Sequence, residues 1–165
     1  MELSNQELLD VINIRYRYCP ETGNYYSKLN KYGRKIGDIV GKIRTDGYIL
    51  LHICGKEYLG HRLAFLIMEN YLPKFVDHKD GNPSNNIWSN LRSCTHKENL
   101  QNTKINTLNT SGYKGVSLYE NGKYRAYINI DGSFKSLGYF WDIEEANTAA
   151  KSARAEHFKE FARDE

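Results

Sequence analysis

The pattern of apolar and polar positions changes character along the chain. From residue 3 to 14 apolar side chains recur at helical spacing and predict an opening helix. Tyrosine-rich stretches broken by glycine turns follow. Glu21-Thr22-Gly23-Asn24 reads as a turn and 24–28 as a strand. Thr45-Asp46-Gly47 carries an Asp-Gly hairpin signal between strands over 39–43 and 48–53. Cys54-Gly55-Lys56-Glu57 turns the chain toward a helix over 61–70, where Leu63, Leu66, Ile67 and Asn70 share a face. Next come a strand, Phe75-Val76-Asp77-His78, a loop over 79–86 dense in turn formers, and a second strand, Leu91-Arg92-Ser93-Cys94. Thr95 and Glu98 stand at capping-box spacing and start a helix at about His96. Beyond a polar linker at 102–112, strands over 114–119, 123–130 and 133–140 are joined by Asn121-Gly122 and Asp131-Gly132 turns. In the first of these strands Val116 and Leu118 should point inward. Asp142 and Glu145 cap an alanine-rich helix running to about Phe161, with His157 on its apolar stripe.

The fold class expected is therefore α+β. An N-terminal small antiparallel sheet with a helix leads into a strand–loop–strand–helix core. A separate three-stranded antiparallel sheet packed on one helix then follows. The expected divisions are 1–101, a linker over 102–112, and 113–165.

Composition narrows the partners only after it is divided along the chain. Lys and Arg number 23 against 20 Asp and Glu, a net charge of +3, which excludes a histone-like tail and a strongly acidic solvating protein. Yet Lys28, Lys31, Arg34, Lys35, Lys42 and Arg44 face only Asp38 in the N-terminal segment. Near the C-terminus Lys114, Lys123, Arg125 and Lys135 outnumber Glu120 and Asp131, while the last helix is acidic. A near-neutral total thus hides basic sheets, which suit a polyanion. The 13 tyrosines exceed 6 Phe and 2 Trp, a choice that fits sheets with one wet face. The cluster Tyr16, Tyr18, Tyr25 and Tyr26 has no functional account at this level. The 3 cysteines form no C-x-x-C pair, so neither a disulfide framework nor a structural zinc site is expected. No signal peptide or membrane span is read, and an intracellular protein is expected.

The candidate chemistry lies in the middle segment. Asp77 and His78 are neighbours on one strand, Asn90 precedes the next, and Asn99 falls about a turn into the helix. A carboxylate and an amide oxygen completed by water suit Mg²⁺, or Mn²⁺ in its place, and a neutral His78 suits a base near pH 7. The run Val76-Asp77-His78-Lys79-Asp80-Gly81-Asn82, with Asn85-Asn86, Asn90-Leu91 and Thr95-His96-Lys97-Glu98-Asn99, resembles the HNH nuclease motif in its phage-type, zinc-free branch. That branch includes homing endonucleases. Gly60-His61-Arg62-Leu63-Ala64-Phe65 resembles the segment preceding the motif. The resemblance implies a ββα-metal nuclease core with its motif over 75–101 and a phage gene acting inside a bacterial host. It also implies His78 as general base, Asn90 as the residue pinning the loop, Asp77 and Asn99 as ligands of one divalent metal, and 5′-phosphate and 3′-hydroxyl products. His96 and Arg62 are candidates for phosphate contact, whereas His61 reads as structural.

The C-terminal segment is similar to the APETALA-type DNA-binding domain of plant ethylene-response factors. The similarity is carried by Tyr113-Lys114-Gly115-Val116, Lys123-Tyr124-Arg125-Ala126-Tyr127-Ile128, Leu137-Gly138-Tyr139-Phe140 and Glu144-Glu145-Ala146. It implies a sheet that enters the major groove of double-stranded DNA. Lys114, Ser117, Tyr119, Lys123, Arg125, Tyr127, Asn129 and Lys135 are then candidate DNA contacts, with Lys42 and Arg44 added from the basic N-terminal run. Ser117, Tyr119, Tyr127 and Ser136 depart from the plant pattern, so the same base sequence is not implied. A linker of this length could extend roughly 36 Å, close to one duplex turn of about 34 Å. The expectation is a metal-dependent, site-specific DNA endonuclease or nickase of homing type, monomeric or homodimeric. The alternative is a catalytically silent DNA-binding regulator that retains the scaffold.

Overall fold

The computed structural model describes residues 3–31, 33–101, 105, 108–162 and 164, apart from the side chains of Leu100 and Gln101. The chain divides into two compact units, Met1–Thr95 and His96–Glu165. Among the described residues no helix is long and apolar enough to cross a membrane.

In the first unit, helix α1 (Asn5–Arg15) starts at Ser4. The Ser4 hydroxyl accepts the Glu7 N–H at 3.3 Å, and the Ser4 N–H donates back to the Glu7 carboxylate at 2.8 Å. Leu8 and Ile12, one turn apart, go into the core, where burying each side chain is worth about 1.5–3 kcal/mol. Strands β1 (Tyr16–Tyr18), β2 (Tyr25–Ser27) and β3 (Ile39–Val40) form one antiparallel sheet. Strands β4 (Lys42–Ile43), β5 (Ile49–Ile53) and β6 (Lys56–Leu59) form another. The expected continuous strand over 39–43 is thus broken at Gly41. Its φ of +120° bends the chain out of one sheet into the next, and a Cβ there would lie 2.7 Å from Ile49 Cγ2. Helix α2 (Gly60–Glu69) buries Leu63, Ala64, Phe65 and Leu66 and ends at Asn70 in the left-handed conformation. Strands β7 (Phe75–His78) and β8 (Leu91–Cys94) pair antiparallel, with Asp77 opposite Arg92 and His78 opposite Leu91.

The second unit begins with helix α3 (His96–Gln101). An ion pair between Lys97 and Asp131 joins this helix to the turn after β10 (Tyr124–Ile130), the central strand of the second unit. The expected linker lies in part outside the described residues, at 102–104 and 106–107. Its C-terminal end is tied down: Asn109 Nδ2 donates to the Tyr113 carbonyl at 2.9 Å and Ser111 Oγ to that of Val116 at 2.8 Å.

Strand β10 lies between β9 (Val116–Leu118) and β11 (Ser133–Phe140). Helix α4 (Ile143–Phe158) covers one face of this sheet through Ala146, Ala150 and Ala153, small enough to let the helix approach closely. Asp142 caps it, accepting the Glu144 N–H at 2.7 Å. Expectations at the edges of this layer fail. Leu118, the last residue of β9, is 64% exposed rather than inward. His157 is also exposed, because Arg154 and Phe158 fill the stripe at the end of the helix. Arg154 is buried and earns its place by bonding Asp164 Oδ1 at 2.6 Å and the Lys114 carbonyl at 2.5 Å.

Candidate active site

The β7–loop–β8 segment holds Asp77 and His78 below the surface, each 5% exposed. Alternation along β7 sends the two side chains to opposite sides. Asp77 meets its cross-strand partner Arg92, whose Nε and Nη2 lie 2.7 and 2.6 Å from Oδ2. This pairing compensates a carboxylate that burial would otherwise penalise.

His78 Nε2 lies 3.0 Å from Oδ1 of Asn86. The His61 ring stands edge-on to the His78 ring at 5.0 Å, and Tyr48 packs against both, at 5.2 Å from His61 and 5.9 Å from His78. Burial lowers the His78 pKa, against the opposing pull of the Asn86 hydrogen bond and of Asp80 and Asp77. Its neutral, proton-accepting form therefore predominates near pH 7. Burial, then the neighbouring His78 and Arg62, pushes His61 down to about 3. Tyr48 is raised by burial and by Asp46 and Asp77.

The loop after His78 is braced from within. Asn90 Oδ1 accepts the Asp80 N–H at 3.1 Å, while its Nδ2 donates to Asp80 Oδ1 at 3.0 Å and to the Asn85 carbonyl at 2.9 Å. Asp80 also accepts Asn82 N–H at 2.8 Å and Asn85 Nδ2 at 2.7 Å. Burial alone would raise the Asp80 pKa, but these hydrogen bonds outweigh it and hold the carboxyl below its usual value. Asn90 thus touches the loop backbone, and its effect on His78 is through loop geometry.

The remaining expected residues are placed differently. Arg62 donates through Nε to the Pro73 carbonyl at 2.7 Å, tying α2 to the segment that enters β7. Asn99 and His96 lie on α3, in the second unit, with Asn99 half-buried and His96 exposed. Among the described residues no group of three or more His, Cys, Asp or Glu side chains converges on a metal position. The carboxylate of Asp77 is a donor of the type that a hard cation such as Mg²⁺ takes alongside water.

The four neighbours Asn86, His61, Tyr48 and Arg92 were not singled out by the sequence as site residues. Asn86 and His61 stand inside the motif segments, but nothing local marks them as neighbours of His78. The tyrosine cluster also gains a place here. Tyr18 and Tyr25 are buried with ring centroids 5.0 Å apart. Their hydroxyls donate to the carbonyls of Asn86 at 2.7 Å and Gly60 at 2.8 Å.

In the second unit, the sheet face away from α4 carries Ser117, Arg125 and Tyr139 in one cross-strand row. The Arg125 guanidinium lies 5.0 Å from the Phe134 ring, 5.6 Å from Tyr119 and 5.7 Å from Tyr127. Lys123 Nζ sits 4.7 Å over Trp141. Tyr127 lies on this face and Asn129 is exposed beside Phe134, its cross-strand partner. Lys135 does not join them: the two-residue Asp131-Gly132 turn sets Ile130 opposite Ser133, and hence Lys135 opposite the buried Ile128, on the helix side. Lys114 precedes β9 and is half-buried. In the first unit Lys42 and Arg44 are exposed, and Arg44 pairs with Asp46 at 2.9 Å.

A model of the HNH endonuclease family matches residues 58–101, a span that includes His61, Asp77, His78, Asn86, Asn90, Arg92 and Asn99. DNA endonuclease I-HmuI of Bacillus phage SP01 is 36% identical over 118 residues, 67% of this chain and 65% of that protein. Protein 3.8 of Escherichia phage T7 is 37% identical over 98 residues, 56% of this chain and 78% of that protein. A solved structure described as DNA binding and cleavage by the HNH homing endonuclease I-HmuI is 38% identical. It covers 53% of this chain and 51% of its own, with a TM-score of 0.40. The chain thus spans just under two thirds of I-HmuI and more than three quarters of protein 3.8. The chain therefore carries a domain of the HNH endonuclease family over residues 58–101.

Proposed function

We propose that this protein is a metal-dependent, site-specific DNA endonuclease or nickase of homing type, with His78 as general base. The observation that carries the reading is a buried, neutral His78 fixed by Asn86 next to a carboxylate held by Arg92. Asp77 and, from α3, Asn99 would hold one divalent ion, Mg²⁺ or Mn²⁺. When bound, such an ion stabilises negative charge on the scissile phosphate and the departing oxygen. His78 takes a proton from the attacking water. Arg92 holds the Asp77 carboxylate in place, and Asn90 keeps the loop closed beside the base.

The proposed division gives the catalytic core to 1–101 and DNA reading to 113–165, an APETALA-like sheet on one helix. Its outer face offers Arg125 and Lys123 on an aromatic bed, with Ser117, Tyr119, Tyr127 and Asn129 around them. Cations set among rings suit phosphates and base edges together. Lys42 and Arg44 of the first unit and Lys114 of the second are further proposed DNA contacts. His96 is left as a candidate phosphate contact. The phage relatives support expression inside a bacterial host.

The test incubates supercoiled phage and plasmid DNA with the protein in Mg²⁺, in Mn²⁺ and in chelator, then maps the ends. Metal-dependent breaks at a defined sequence, with 5′-phosphate ends, are expected. Sequence-specific binding without a break in either metal would instead identify a silent regulator.

A further inference from the structure

Asn86 stands in a loop, where side chains are ordinarily solvated, yet it is only 1% exposed. The surroundings leave it little freedom. Its backbone C and the Ile87 nitrogen lie 2.4 and 2.5 Å from where a Cβ on Gly23 would sit. Its Nδ2 lies 2.9 Å from the corresponding position on Gly60. At Gly23, where both neighbours are backbone atoms and φ is +72°, only glycine admits this packing, and at Gly60 a Cβ would press on the Asn86 amide. The Tyr18 hydroxyl, on β1, then donates to the Asn86 carbonyl at 2.7 Å. The N-terminal hairpin thus reaches the β7–β8 loop from outside the HNH motif.

Asn86 in turn faces His78, with Oδ1 3.0 Å from Nε2. An amide oxygen only accepts, so this contact requires a hydrogen on Nε2 and leaves the imidazole lone pair on Nδ1. A neutral imidazole accepts a proton only through its unprotonated nitrogen. We propose that Asn86, held by Tyr18, is a positioning residue that fixes the tautomer and ring orientation of His78. The inference rests on His78 being the general base of the proposed nuclease. The edge-on ring of His61 and the tilted ring of Tyr48 bound the same ring and limit its rotation.

The deciding experiment uses the full-length protein labelled with ¹⁵N at histidine, without metal at pH 7.5, with His78 assigned by comparison with His78→Ala. Long-range ¹H–¹⁵N spectra distinguish a protonated from an unprotonated ring nitrogen. The expected result is hydrogen on Nε2 of His78 in the wild type and in Asn86→Asp, and a mixed or exchanging signal in Asn86→Leu. In parallel, nicking at saturating DNA should fall about 10²-fold in Asn86→Leu, the scale of a general base's contribution. Tyr18→Phe should lose about fivefold, the effect of one neutral hydrogen bond. Both should leave DNA affinity unchanged, and Asn86→Asp should recover most of the rate. Should Leu at 86 unfold the unit, Tyr18→Phe and Asn86→Asp carry the same decision. Hydrogen on Nδ1 in the wild type overturns the proposal, as does a Tyr18→Phe protein with unchanged rate and an unchanged His78 spectrum. A wild type that holds hydrogen on Nε2 but breaks no DNA sinks the nuclease reading, while the spectra still decide whether Asn86 fixes the ring.

Discussion

His61 makes the first unit sensitive to acid, and the size of the effect follows from its burial. The ring is 4% exposed, it packs against His78 and Tyr48, and its pKa is pushed down to about 3 from the ordinary 6.5. A histidine whose folded pKa is depressed binds fewer protons folded than unfolded. Its stabilisation is complete above about pH 6.5 and is lost as the pH falls toward 3. In that window each pH unit costs about 1.4 kcal/mol, so by pH 4 the unit gives up about 3 kcal/mol through this group. His78, also lowered by burial, adds in the same direction. The assay is urea unfolding between pH 7.5 and 4, followed by fluorescence of Trp88, which packs on Phe65 at 4.7 Å, in a Trp141→Phe background. Comparing this protein with its His61→Phe derivative cancels the titration of carboxylates common to both. The His61 protein should lose stability more steeply with acid, by about 1 kcal/mol or more for each unit below pH 6. Parallel pH slopes would show that His61 titrates normally and refute the burial argument.

Other outcomes test other parts of the structure. Arg92→Met leaves Asp77 buried without its guanidinium and should cost about 3 kcal/mol or more in chemical unfolding; adding Asp77→Asn should return much of it, and an additive cycle would deny the pairing. Gly23→Ala meets both a φ of +72° and the backbone of Asn86, whereas Gly55→Ala meets only a φ of +83° with open space around it. Thermal melting should show about 1 kcal/mol lost at Gly55 and clearly more at Gly23; equal losses would mean that the loop does not press on Gly23. Arg125→Ala with Phe134→Ala should weaken binding to DNA carrying the mapped site by about tenfold or more and flatten its salt dependence. Unchanged binding would remove this sheet face from the interface.

Much of the fold is legible where local chemistry decides. The Asp131-Gly132 turn, both residues in the left-handed region, fixes the β10–β11 hairpin register, and Asp142 marks a helix start by its side-chain cap. β7 and β8 appear at their expected bounds. What the pattern hides is non-local. An apolar run across residues 39–43 gives no sign that Gly41 hands the chain between sheets. Lys135 looks like a basic partner of Arg125 until the hairpin register sends it to the other face. At the site, the order of Asp77, His78 and Asn90 is visible, but the contacts that fix His78 are not. Tyr18 and Asn86 are 68 residues apart, and a tyrosine in a short strand does not reveal which carbonyl its hydroxyl will meet.

The central claim is that His78 removes a proton from the attacking water, and single-turnover nicking by His78→Ala tests it most directly. With DNA of the mapped site and saturating Mg²⁺, the variant should bind as tightly as the wild type while its nicking rate falls by about 10²-fold or more. A folded His78→Ala protein that nicks at the wild-type rate would contradict the account.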